Sequence, residues 1–120
     1  NINDTFGHLY GDYMLQTVSK LIQKSVRDID VVGRYGGEEF IVILVNTSKS
    51  LAEQVGKRIV HSISTYEFEE HGVKSGITIS GGMAQFPGDS EEKRALVKLA
   101  DEALYDAKSQ GGNRVILHGN

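Results

Sequence analysis

The sequence predicts an α+β domain in which helices pack on one sheet. Three observations predict it. Apolar residues recur at helical spacing in three stretches, β-branched runs lie between those stretches, and glycine pairs mark the joins. In residues 11–28, Met14, Val18, Leu21, Ile22 and, less regularly, Val26 line one helical face, leaving Ser19, Lys20, Gln23 and Lys24 for solvent. Val31-Val32 and then residues 40–45 read as two strands. Gly36-Gly37 between them is a hairpin signal, because a tight primed turn needs positive φ. A second helix is expected over residues 50–66, with Ser50 and Glu53 at capping-box spacing and Ala52, Val55, Ile59 and Ile63 on one face. Residues 76–86 read as a strand whose Gly81-Gly82 pair marks a bulge or a close backbone approach. Pro87-Gly88-Asp89 is a turn, after which Asp89 or Ser90 caps a third helix with Glu91 and Glu92 in its first turn. Leu96, Leu99, Ala100, Ala103, Leu104 and Ala107 form the buried stripe of that helix. Gly111-Gly112 ends it, and Arg114 to Leu117 is a last short strand.

Composition narrows the function classes. The 120 residues suit one domain, with no repeat, linker or low-complexity stretch. At 39% apolar and 24% charged residues, neither disorder nor a coiled coil fits. A net charge of −3 excludes a broad basic face for a nucleic-acid polymer, but not a local anion site. With no cysteine there is no disulfide framework, thiolate metal site or thiol nucleophile. The apolar run at 40–45 falls far short of the roughly 18 residues that a membrane span needs. The chain opens at Asn1 with neither methionine nor signal peptide, which reads as a piece of a longer cytoplasmic protein.

Two clusters could carry chemistry. In Arg34-Tyr35-Gly36-Gly37-Glu38-Glu39-Phe40, the glycines let a ligand approach the backbone and two carboxylates follow at the hairpin tip. Adjacent carboxylates repel by about 4 kcal/mol at 4 Å in an effective dielectric of 20, and a divalent cation relieves that repulsion. Mg²⁺ favours one or two carboxylates combined with phosphates and waters. A hairpin turn with two solvated glutamates fits the same letters. The second cluster is Asn3-Asp4-Thr5-Phe6-Gly7-His8 with Gly11-Asp12 beyond it. A carboxylate there could accept both the N1–H and the amino group of guanine and would reject adenine. Asn3 as a turn former, Asp12 facing a helix dipole and His8 as a packing residue are the plainer alternatives.

Taken together, Ile2-Asn3-Asp4-Thr5-Phe6-Gly7-His8, Gly11-Asp12 and the Arg34 to Phe40 hairpin closely resemble the GGDEF family of bacterial diguanylate cyclases, in a GGEEF variant. Ala100 to Lys108 followed by Gly112-Asn113, and Ile77 to Gly82 before them, resemble the rest of that family's pattern, so the likeness covers essentially the whole chain. It implies a nucleotide-cyclase or polymerase-palm-like (ferredoxin-like) fold, with a mixed, mainly antiparallel sheet and helices packed on it. It also implies condensation of two GTP into cyclic di-GMP and two pyrophosphates by a homodimer, with two Mg²⁺ (or Mn²⁺) per active site.

The resemblance assigns guanine to Asn3 and Asp12, and places His8, Gly36 and Gly37 around the substrate. Glu38 would be metal ligand and general base for the ribose 3′-hydroxyl, Glu39 a ligand of the second metal, and Lys108 a contact to the terminal phosphates. Arg27-Asp28-Ile29-Asp30 matches the family's inhibitory RxxD motif, and Arg58 matches the arginine contributed from a second surface. There the guanidinium of Arg27 would fork onto phosphate or guanine and Asp30 would take guanine's donors. An upstream regulatory domain, with the parent protein tethered to a membrane or free, is the usual setting.

Two departures stand out. The family's first strand, Asp-x-Asp-x-Phe-Lys, would precede Asn1 and is not in this sequence, so the chain is read as N-terminally truncated and poorly active as it stands. That strand is central in the family's sheet, so its neighbours are expected to show unpaired backbone. Gly112 stands where the family carries a phosphate-contacting arginine, with Arg114 nearby. Two alternatives to an active cyclase follow: a weak or inactive module sensing GTP or cyclic di-GMP, and a protein-interaction domain that uses only the fold.

Overall fold

A computed structural model of the chain describes residues 5–34, 38–70 and 72–119. In chain order its elements are α1 (Thr5–Ser25), β1 (Val31–Arg34), β2 (Glu39–Val45), α2 (Lys49–Ser64), β3 (Phe68–Glu70), β4 (Val73–Ser75), β5 (Ser80–Phe86), α3 (Lys93–Ser109) and β6 (Arg114–Leu117). The main sheet runs β1-β2-β5-β6, and β3-β4 forms a separate small hairpin. β1 and β2 are antiparallel, whereas β2–β5 and β5–β6 are parallel. The architecture is the α+β class that the sequence predicts, with a mixed sheet; among the described residues two of the three pairings in that sheet are parallel, so it is not mainly antiparallel as expected.

Strand β2 is buried on both faces, which explains why Phe40 to Leu44 is apolar throughout rather than alternating. Phe40, Val42 and Leu44 meet Val18 and Ile22 of α1, Ile59 and Ile63 of α2, and Met83 of β5. Ile41 and Ile43 point the other way, onto Leu96, Ala100 and Leu104 of α3. Each large side chain buried this way contributes about 1.5–3 kcal/mol. Among the described residues, no helix is long and apolar enough to cross a membrane.

The glycine pair of β5 serves close approach, not a bulge, since its register with β2 is unbroken from Ser80 to Phe86. A Cβ on Gly81 would lie 2.4 Å from the Phe40 ring, and one on Gly82 would lie 2.0 Å from the Ala100 carbonyl oxygen. One glycine admits the aromatic on one face; the other seats α3 on the opposite face.

Several boundaries differ from the expectation. Strands β2 and β5, expected to show unpaired backbone, instead pair with each other directly over their whole length. Helix α1 ends at Ser25 instead of 28, where Asp30 accepts the Arg27 N–H at 2.8 Å and turns the chain. The N-cap of α2 is Ser48, whose hydroxyl accepts the Leu51 N–H at 3.2 Å; Ser50 sits inside the first turn. Ser48→Ala is expected to cost about 1 kcal/mol, measured by urea unfolding. Asp89 and Ser90 do not cap α3 directly. Asp89 accepts the Gln85 N–H at 2.7 Å and Ser90 the Glu92 N–H at 3.1 Å, and the helix starts at Lys93. The strand expected over 76–86 begins at Ser80. The β3–β4 hairpin was not anticipated. Its anchor is fully buried Phe68, with Tyr66 and Tyr13 edge-on at 4.8 and 6.4 Å between ring centroids.

Candidate active site

The β1–β2 hairpin brings Arg34 opposite Phe40. Gly36 and Gly37 lie between them, outside the described residues, as does Asn3. His8 and Asp12 fall within α1, but their side chains are also outside the described set. The described part of the site therefore begins at Glu38. It is exposed, and its carbonyl accepts the Ser80 N–H at 2.8 Å, which ties the hairpin base to β5.

Glu39 opens β2 and meets the last turn of α3. Lys108 Nζ stands 3.0 Å from Glu39 Oε2, with the two side chains 49% and 37% exposed. That juxtaposition depends on packing far from the charges. Gly82 lets α3 lie against β5 at Ala100 and Leu104, and one helical turn after Leu104 Lys108 projects beside the start of β2. No group of three or more His, Cys, Asp or Glu able to hold a metal occurs among the described residues. Two neighbouring carboxylates are nevertheless a donor set that suits Mg²⁺, whose other ligands come from phosphates and water.

The loop after α3 explains the glycine at 112. Its φ is +74°, and a Cβ there would meet Ser80 Oγ at 3.1 Å. Any side chain at that position is strained. Arg114 turns back on the same loop, donating from Nε to the Gly112 carbonyl at 3.1 Å and from Nη1 to Gln110 Oε1 at 3.0 Å. It borders a cleft with Lys57 and His61 of α2.

A second constellation forms at the far end of β2. Arg27, Asp30 and Arg58 line one cleft of about 160 Å³, together with Lys24, Thr47 and Leu51. Arg58 Nη2 donates to the Ser25 carbonyl at 2.6 Å, which fixes the arginine of α2 against the end of α1. Asp30 is only 2% exposed; it accepts the N–H groups of Arg27 at 2.8 Å and Val45 at 3.0 Å and pairs with the Arg27 guanidinium at 3.3 Å. Arg27 Nη2 in turn donates to the Val45 carbonyl and, at 2.7 Å, to Thr47 Oγ1. The Arg27–Asp30 pair thus grips both backbone groups of Val45, as a strand partner would. Its carboxylate is spent on donors within the chain, which the sequence reading did not foresee, whereas Arg27 remains half exposed. Thr47 and Lys24 are cleft residues the sequence reading missed; neither stands in a recognisable spacing, and only the fold collects them.

Comparison with known proteins shows the family and the fold. The family described as Diguanylate cyclase, GGDEF domain matches residues 1–114. The chain is 46% identical over 120 residues to diguanylate cyclase A of Treponema denticola, covering all of this chain and 32% of that protein, so it spans about a third of that relative's length. Its fold is similar to the GGDEF domain of DgcB from Caulobacter crescentus in complex with c-di-GMP, at TM-score 0.78 and 29% identity over 99% of this chain and 71% of that one. It is also similar to the active GGEEF domain of a diguanylate cyclase from Vibrio cholerae, at TM-score 0.72 and 33% identity over 99% and 75% of the two chains. The chain belongs to the GGDEF family of diguanylate cyclase domains.

Proposed function

We propose that this domain condenses two GTP molecules into cyclic di-GMP, each domain of a homodimer holding one GTP. The observation that carries the reading is the meeting of Lys108 with Glu39 at the hairpin base, 3.0 Å apart. A cation for terminal phosphates and a carboxylate for metal there converge from two distant parts of the chain. Phosphoryl transfer to a hydroxyl asks little covalent work of a protein; positioning and charge placement supply most of the catalysis.

In this reading Asn3 and Asp12 hold the guanine, with His8, Gly36 and Gly37 around the substrate. Glu38 takes the proton of the ribose 3′-hydroxyl, whose oxygen then bonds the α-phosphorus of the GTP held by the facing domain. The bond from that phosphorus to the bridging oxygen breaks and pyrophosphate leaves. Lys108 steadies the terminal phosphates, and Glu38 and Glu39 would hold Mg²⁺ or Mn²⁺, two ions per site. Bound metal would neutralise charge that builds on the triphosphate as the bond breaks.

The test is pyrophosphate release from GTP and Mg²⁺, measured on the chain preceded by the Asp-x-Asp-x-Phe-Lys strand under conditions where it dimerises. Absence of release overturns the enzyme reading. A non-catalytic GTP or cyclic di-GMP sensor is the second reading, favoured by one observation: Gly112 occupies the arginine position with a backbone that disfavours any side chain.

The cleft at Arg27 is proposed as the cyclic di-GMP site that restrains synthesis. Arg27 and Arg58 offer guanidinium forks to phosphate or guanine, and Asp30 holds Arg27 in place while lining the same cleft. Arg27→Ala is expected to weaken cyclic di-GMP binding at least tenfold by calorimetry. Unchanged affinity removes the site from the proposal. Activation through an upstream domain and a cytoplasmic setting complete the proposed context.

A further inference from the structure

The Lys108–Glu39 pair is open to water on both sides, so its contribution to folding is small. Its geometry bears instead on the order in which the site can be loaded. Lys108 projects from a helix held to β5 by the absence of a Cβ at Gly82, while its four-carbon stem leaves the ammonium free to move. Glu39 begins a strand, and its main chain pairs with Ser80 of β5. The ammonium, on the longer stem, is the partner with the greater reach. While it sits on Glu39, an arriving cation meets a neutralised carboxylate. A triphosphate offers the ammonium more negative charge than one carboxylate does, so nucleotide draws it away and uncovers the metal ligand.

We infer that Lys108 is an exchangeable counter-ion: it occupies Glu39 until nucleotide arrives, so that the site resists a divalent cation alone and accepts cation and GTP together. The inference rests on the GTP and Mg²⁺ reading and adds to it an order of loading. It also separates two effects of one residue, because removing the ammonium helps the bare cation and harms the nucleotide.

The experiment titrates the full chain with Mn²⁺, followed by its free-ion paramagnetic resonance signal, first alone and then with a GTP analogue whose α,β-bridge is methylene. Lys108→Met is expected to bind Mn²⁺ alone roughly two- to fivefold more tightly than the parent, and the analogue at least about tenfold more weakly. Lys108→Arg, which keeps the charge, is expected to match the parent for Mn²⁺ alone. Lys108→Gln carries the same expectation as Lys108→Met, so misfolding of one variant leaves the other to decide. If both neutral variants bind Mn²⁺ no more tightly than the parent while the analogue weakens, Lys108 is a phosphate contact only and the exchange is overturned. If the parent takes up neither Mn²⁺ nor the analogue, the exchange falls together with the GTP and Mg²⁺ reading.

Discussion

Glu38→Gln is expected to reduce pyrophosphate release about a thousandfold in the strand-bearing chain, with little change in thermal unfolding. The side chain is exposed, and the tie recorded between this residue and the rest of the fold is its carbonyl, which accepts from Ser80. Glutamine keeps the backbone and the shape. What it loses is the anionic oxygen that, in the proposed reaction, would take the 3′-hydroxyl proton and supply a metal ligand. General-base removal alone typically costs about 10²–10⁴ in rate. GTP affinity should fall far less, since the proposal puts the guanine and phosphate contacts on other residues. Release within about tenfold of the parent would show that another group takes the proton.

Gly82→Ala is expected to destabilise the domain by about 3 kcal/mol, lowering its melting temperature by roughly 10–15 °C. The added Cβ would sit 2.0 Å from the Ala100 carbonyl oxygen and 2.4 Å from the Leu104 nitrogen. Both atoms belong to helix backbone, which cannot swing aside as a side chain can. Helix α3 must lift from β5 or slide along it. Either movement displaces Lys108 from Glu39, so calorimetry and pyrophosphate release should fall together. Gly81→Ala makes a useful contrast, because it collides with the Phe40 ring and leaves α3 untouched. A Gly82→Ala protein with parental melting temperature would mean that α3 can lift from β5 without loss of stability.

What the sequence could reveal was whatever is written within a few consecutive residues. The stripes of α2 and α3 follow from one helical period, and the hairpin follows from a glycine pair followed by two glutamates. The β3–β4 hairpin escaped notice because Phe68-Glu69-Glu70 and Val73-Lys74-Ser75 are too short and polar to show a period. Its buried residue Phe68 is covered by Tyr13 from a distant helix. Two hydroxyls in Ser48-Lys49-Ser50 compete as caps, and only the backbone angles of Ser48 decide between them. The candidate site divides in the same way. Arg27 and Asp30 are legible as a spaced pair, but the capture of Val45 by Asp30 crosses fifteen residues and cannot be read locally. The approach of Lys108 to Glu39 likewise depends on how a helix seats on a strand, which no short motif encodes.

The left-handed loop at Gly112 limits how this domain could be redesigned. Writing arginine into position 112 would not restore a guanidinium at the family's location, because a φ of +74° costs an ordinary residue about 1–2 kcal/mol and the new Cβ would crowd Ser80. An engineer seeking a cation at that point of the loop would have to rebuild the segment from Gln110 to Arg114, or recruit the charge from a different element.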